Sequence, residues 1–177
     1  MKNINISKNK DRITIEIYPK YNKQKHIMML FWLALWTVCG LAILTQLFGD
    51  YDIKTKFFFV MYLLFWLFFE YKVIYTHRWR KYGKEIIKII GDKVHLVKEI
   101  KGRGVEQIFD KNDIEKIEIF NEKENSMSQL FGNAYWMISG YQLAFKTKDK
   151  LIPFGLELDE KEKKKIVFEL NRSLKQN

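Results

Sequence analysis

The side chains best able to do chemistry are few and scattered. His26, His77 and His95 are far apart, and Cys39 is the single cysteine. This spacing offers no paired ligands for a metal ion and no disulfide framework. Ser126, Ser128 and Ser139 have no nearby histidine to take up a hydroxyl proton. Gly102 and Gly104 in "KGRG" lack the strand, loop and helix order that cradles a phosphate, so a hairpin turn is expected there. The abundant carboxylates alternate with lysines along segments that read as strands. We therefore expect no enzyme: no catalytic residues, no metal, no cofactor and no small-molecule substrate. One acid does stand out. Glu70 lies in "LFWLFFEYKVIY", where a charge at mid-bilayer depth costs about 2.5–3.5 kcal/mol. It either snorkels to an interface or is protonated, or it pairs with a facing helix. Lys72, two residues on, points to another side of the helix.

Two long apolar runs surround that acid. Residues 27–48, "IMMLFWLALWTVCGLAILTQLF", carry no charge, and only Thr37, Thr45 and Gln46 are polar. About 20 such residues cross a bilayer core, which predicts a first transmembrane helix. The second run, "FFFVMYLLFWLFF", reaches the required span when extended through Glu70 and Lys72, giving a second transmembrane helix over 57–76. The short stretch 49–56 between them predicts an antiparallel hairpin. Cys39, inside the first run, reads as a small buried thiol. No cleavable signal peptide is expected, because residues 1–26 hold no apolar run.

Charge orients the hairpin. The net charge of +10 comes from the flanks of the apolar runs. Residues 1–26 carry seven Lys and Arg against two acids, whereas the loop's Lys54 and Lys56 are balanced by Asp50 and Asp52. Basic residues gather on the cytoplasmic side of membrane spans. Both termini are therefore expected in the cytoplasm of a bacterial cell, at the inner membrane, with 49–56 outside. Trp32, Trp36, Trp66 and Trp79 would lie toward the inner interface, where aromatic belts form. Arg78, Arg80, Lys81 and Lys84 follow the second helix closely. They read as the ordinary positive flank or as a contact to anionic lipid headgroups, at about 1 kcal/mol each. Nucleic acid is not an expected partner, because the basic groups are interleaved with acids and form no stripe.

The remainder alternates with period two. "RITIEI", within a strand expected over 12–18, has one apolar face and needs partners from beyond the membrane hairpin. "EIIKII" and "KVHLVKEI" read as a hairpin turning at Gly91-Asp92, followed by "VEQIFD", "DIEKIEIF", "YQLAFKT" and "LIPF". Pro153 marks the last as an edge strand. The chain closes with an amphipathic helix over 159–175. Its N-terminus carries Asp159 and Glu162 in capping-box spacing, and Ile166, Leu170 and Leu174 share a face. "KEKKK" at 161–165 begins that helix, where cations oppose the dipole.

Six or seven antiparallel strands and a terminal helix over residues 78–177 are laid out like a pleckstrin-homology-like barrel. The chain resembles small bacterial membrane proteins of unknown function that join two transmembrane helices to a PH-like domain. The likeness runs through "ITIEIYPK", the aromatic hairpin, "RWRKYGKEIIKI", "DIEKIEI" and "LIPFGLELDEKEKKKIVFELN", and leaves out 121–140. It implies a membrane α+β protein whose antiparallel barrel or sandwich is capped by a C-terminal helix. The basic first hairpin loop with which PH domains hold inositides is here only Gly91-Asp92-Lys93, which argues against inositide recognition. Within the insert, Met127, Leu130, Phe131, Tyr135 and Trp136 crowd together as a candidate partner contact, or pack over the barrel's own mouth. The expected role is a scaffold or accessory subunit docking a membrane-protein partner or a second copy. The alternative is a module that binds anionic lipid in the bilayer.

Overall fold

A computed structural model of the chain describes residues 3–9, 12–119, 135, 137–138, 140–148 and 150–175. These form two compact units. One holds most of two long helices. The other holds the strands, the last residues of the second long helix and the C-terminal helix.

In the helical unit, α1 spans Lys23–Gln46 and α2 spans Ile53–Tyr82. At a rise of 1.5 Å per residue they are roughly 36 and 45 Å long, each more than the ~30 Å of a bilayer core. Asn22 caps α1 by accepting a hydrogen bond from the Lys25 amide at 3.0 Å. The covered positions of α1 are His26, Met29, Leu33, Trp36, Thr37, Gly40 and Ile43, and those of α2 include Leu63, Trp66, Phe69, Glu70, Val73 and Thr76. This alternation of three and four residues is the seam of two helices packed side by side. The other faces are apolar and open. Only 11% of the most apolar window of α1 and 17% of that of α2 are buried. Cys39 is exposed, which corrects its reading as a buried thiol: it neighbours the seam residue Gly40 in sequence but lies on an open face.

The other unit contains two antiparallel sheets. β1 (Ile4–Asn9), β2 (Arg12–Ile17), β3 (Gly83–Ile90), β4 (Lys93–Ile100) and β5 (Arg103–Asp110) form five strands in sequence order. A 3-10 turn at Lys111–Asp113 leads to β6 (Ile114–Ile119), which joins β7 (Tyr141–Thr147) and β8 (Leu151–Leu156) in a second sheet. The sheets do not close into a barrel. Strand β2 pairs with β3, Ile15 opposite Ile87, although some 65 residues of sequence separate them. The inward face of the larger sheet is built by Ile13, Ile15, Ile17, Ile87, Ile89, Val94 and Leu96. It packs with Leu143, Phe145, Ile152 and Phe154 of the smaller sheet and with Ile166 and Leu170 of α3 (Glu160–Lys175). Strand β8 is an edge of its sheet, where Pro153, which has no N–H to donate, is tolerated. A reciprocal capping box starts α3: the Glu162 amide donates to Asp159 at 2.7 Å, and the Asp159 amide to Glu162 at 2.9 Å.

β1 was not expected. Only Ile4 and Ile6 alternate in it, and it is held by backbone pairing with β2. The second long helix continues to Tyr82, beyond the expected end at 76, and enters β3 with no linker. Leu170 is fully buried and Phe168, two residues earlier on α3, is 65% exposed. Leu170→Ala should therefore cost about 2–5 kcal/mol and Phe168→Ala little. Thermal melting of the purified protein in detergent would read the difference.

Candidate functional site

The seam of the helical unit holds Glu70. Thr37 Oγ1 donates to Glu70 Oε1 at 2.6 Å and also lies 2.8 Å from the Leu33 carbonyl. One hydroxyl proton serves these two acceptors one at a time. The second carboxyl oxygen of Glu70 is buried without a hydrogen bond among the described residues. Beside this pair, Trp66 Nε1 donates to the Trp36 carbonyl at 3.0 Å, and the Trp32 and Trp36 rings stack 5.2 Å apart. A Cβ at Gly40 would fall 1.9 Å from the Trp66 ring, so only glycine admits the indole there. Near the start of α1, the rings of His26 and His77 stack at 4.2 Å, with Tyr21 4.9 Å from His26.

Of the residues expected to dock a partner, Tyr135 is described, whereas Met127, Leu130, Phe131 and Trp136 lie outside the described residues. The Tyr135 hydroxyl donates to the Asn22 carbonyl at 3.2 Å and accepts from the Asn22 amide at 3.4 Å. Lys25 Nζ lies 5.9 Å from its ring centre. Tyr135 thus secures the beginning of α1.

The basic group Arg78, Arg80, Lys81 and Lys84 does not stay together as one headgroup contact. Arg78 and Lys81 are exposed. The Arg80 side chain is 3% exposed and its guanidinium meets Glu157 at 2.8 Å. Lys84 Nζ lies between Glu16 at 2.9 Å and Glu99 at 3.3 Å. The hydrogen bond from Lys84 holds the Glu16 carboxyl below its ordinary range, and Glu16 in turn raises Lys84. Arg80 and Lys84 therefore serve the packing of the β unit. Their spacing along the chain gave no sign of this, because it depends on carboxylates from elsewhere in the chain.

Trp79 also departs from its expected place in an aromatic belt. It is 2% exposed, and it presses so closely on Gly83 that a Cβ there would lie 2.5 Å from the Trp79 carbonyl.

An ionisable residue that we did not single out from the sequence lies deepest. Glu85 is 1% exposed, and its Oε2 accepts the Gly155 amide at 2.7 Å. Lys98 Nζ stands 3.9 Å from the other oxygen. It also donates to the Pro153 carbonyl at 3.3 Å and covers the Tyr141 ring at 3.9 Å. The signal was present: in "EIIKII", Glu85 shares the inward parity of Ile87 and Ile89. Burial pushes the Glu85 carboxyl up, outweighing the opposing pull of Lys98 and of the amides of Gly155 and Leu156. Among the described residues, no group of three or more His, Cys, Asp or Glu is placed to hold a metal ion.

The raised Glu85 has a defined linkage to pH. Below its ordinary value of 4.5 the carboxyl is protonated both folded and unfolded, so it imposes no penalty. As pH rises above that value, the unfolded chain releases the proton freely while the fold resists. Stability is lost progressively until the folded value is passed. Glu85→Gln keeps an acceptor for Gly155 and removes the titration. Its melting temperature relative to the native protein should rise as the pH increases above the ordinary value of 4.5; a constant difference would contradict this. Compared with family models, with curated proteins and with solved structures, the chain finds no match.

Proposed function

We propose that this chain is a non-catalytic integral membrane protein. Its two helices anchor an antiparallel, PH-like β unit at the cytoplasmic face of a bacterial inner membrane, with both termini on that side. There it acts as a scaffold or accessory subunit for a membrane-protein complex. The observation that carries the reading is the openness of the helices. In two helices of spanning length, less than a fifth of the most apolar windows is buried. A core helix of a soluble protein would be mostly buried. Glu70 and Thr37 fit the same reading, because a polar pair turned into the seam spares the lipid-facing surface.

The docking half of the proposal draws support from β5. This eight-residue strand is an edge of the larger sheet, and Val105 and Ile108 are 70% and 54% exposed. An extended segment of a membrane partner could add there as a further strand, gaining backbone hydrogen bonds and two apolar contacts. Phe131 and Trp136 remain the candidate contact from the insert.

Pull-down of the tagged full chain in mild detergent tests the reading. A stoichiometric membrane protein should be retained at high salt and lost from Val105→Lys/Ile108→Lys or from Phe131→Ala/Trp136→Ala. Native protein that carries only lipid, with no stoichiometric partner, would contradict it.

A further inference from the structure

The helix end at Tyr82 brings together cations that are distant in sequence. Strand β3 begins at Gly83, directly after α2, and pairs with β4 so that Gly83 faces Ile100. The next residues outward, Tyr82 and Lys101, are therefore neighbours, and the Lys101 amide donates to the Tyr82 carbonyl at 3.4 Å. Lys101 and Gly102 form the β4–β5 turn with φ of 52° and 77°, which fixes where the lysine projects. Its Nζ lies 3.9 Å from the Tyr82 ring centre, and Lys81 Nζ lies 5.1 Å from the same centre. Both lysines and Tyr82 are exposed. Lys101 has no ion pair among the described residues. On β4, Glu99, two residues before Lys101, is engaged by Lys84 at 3.3 Å.

We propose that Lys81, Tyr82 and Lys101 form a binding site for the phosphate of an anionic membrane lipid. Two ammonium groups around one phenol supply charge and hydrogen-bond donors to phosphate oxygens, and the ring supplies an amphipathic surface suited to the membrane–water boundary. The position along α2 also fits. Tyr82 is six residues past Thr76, about 9 Å of helix rise, which is headgroup depth if the apolar run fills the bilayer core. The site rests on the membrane reading above. It differs from a general positive flank because one of its cations comes from a hairpin turn nearly twenty residues away in sequence.

The test is native mass spectrometry of the full chain in detergent, titrated with phosphatidylglycerol or phosphatidylcholine. The native protein should retain one phosphatidylglycerol in clear preference to phosphatidylcholine. Lys81→Gln/Lys101→Gln should weaken that binding about tenfold or more. Lys164→Gln/Lys165→Gln, which removes the same charge from exposed positions of α3, should leave it unchanged. Melting temperatures close to the native value would show that all four substitutions leave the fold intact. An undiminished preference in the first pair, or an equal loss in the control pair, would overturn the site. So would equal competition by inorganic phosphate, which would mark a site for the free anion. Failure of the membrane reading would look different: the chain would stay in solution without detergent, whatever lipid it bound.

Discussion

Helix α2 and strand β3 are joined without a linker, and much of the β unit follows from that join. Gly83 is the first residue of the strand, and the Trp79 carbonyl and indole leave no room there for a side chain. With the chain direction set at Gly83, the pairing with β4 places Lys101 beside Tyr82. Three residues before the join, Arg80 turns inward to Glu157, which sits at φ 55° just after β8. The Glu157 carboxylate also accepts the Lys20 amide at 3.2 Å, so the segment leaving β2 is tied to the same point. A left-handed backbone at a non-glycine residue is costly, and here the ion pair and the amide both act to hold it.

Both units place acids away from water, and they satisfy them differently. In the helical unit Glu70 gains one hydroxyl donor from the facing helix. In the β unit Glu85 gains a backbone amide and a nearby ammonium, yet burial still dominates and favours its neutral form. Such a group stabilises less than an apolar residue of the same size would. Its contribution is geometric: it ties β3 of the larger sheet to β8 of the smaller one through Gly155, whose φ of 77° lies in the region that favours glycine.

The elements most readable in sequence were those whose pattern is carried by local periodicity. The apolar runs, the alternation of "RITIEI" and "EIIKII", and the Asp159–Glu162 cap each concern neighbours within one element. β1 escaped notice because two isoleucines among polar residues make no pattern until β2 is beside them. Arg80 and Lys84 looked like surface cations because their partners, Glu157, Glu16 and Glu99, come from other parts of the chain. The sequence left barrel and sandwich both open, since closure depends on strand tilt and stagger and leaves no mark on alternation. The headgroup site we propose was half visible. Lys81 belongs to the basic run after the second helix, but Lys101 joins it only through the register of β3 with β4.

The central claim is that the helix pair crosses a membrane and leaves the β unit and both termini on one side. Single cysteines at Asp50 and at Arg172, each introduced with Cys39→Ala, would test it through labelling of sealed vesicles by a membrane-impermeant thiol reagent. The account predicts opposite accessibility: one position reacts in vesicles of one orientation and the other only in inverted vesicles. Reaction of both from the same side, or release of the unlabelled protein by alkaline carbonate, would contradict it.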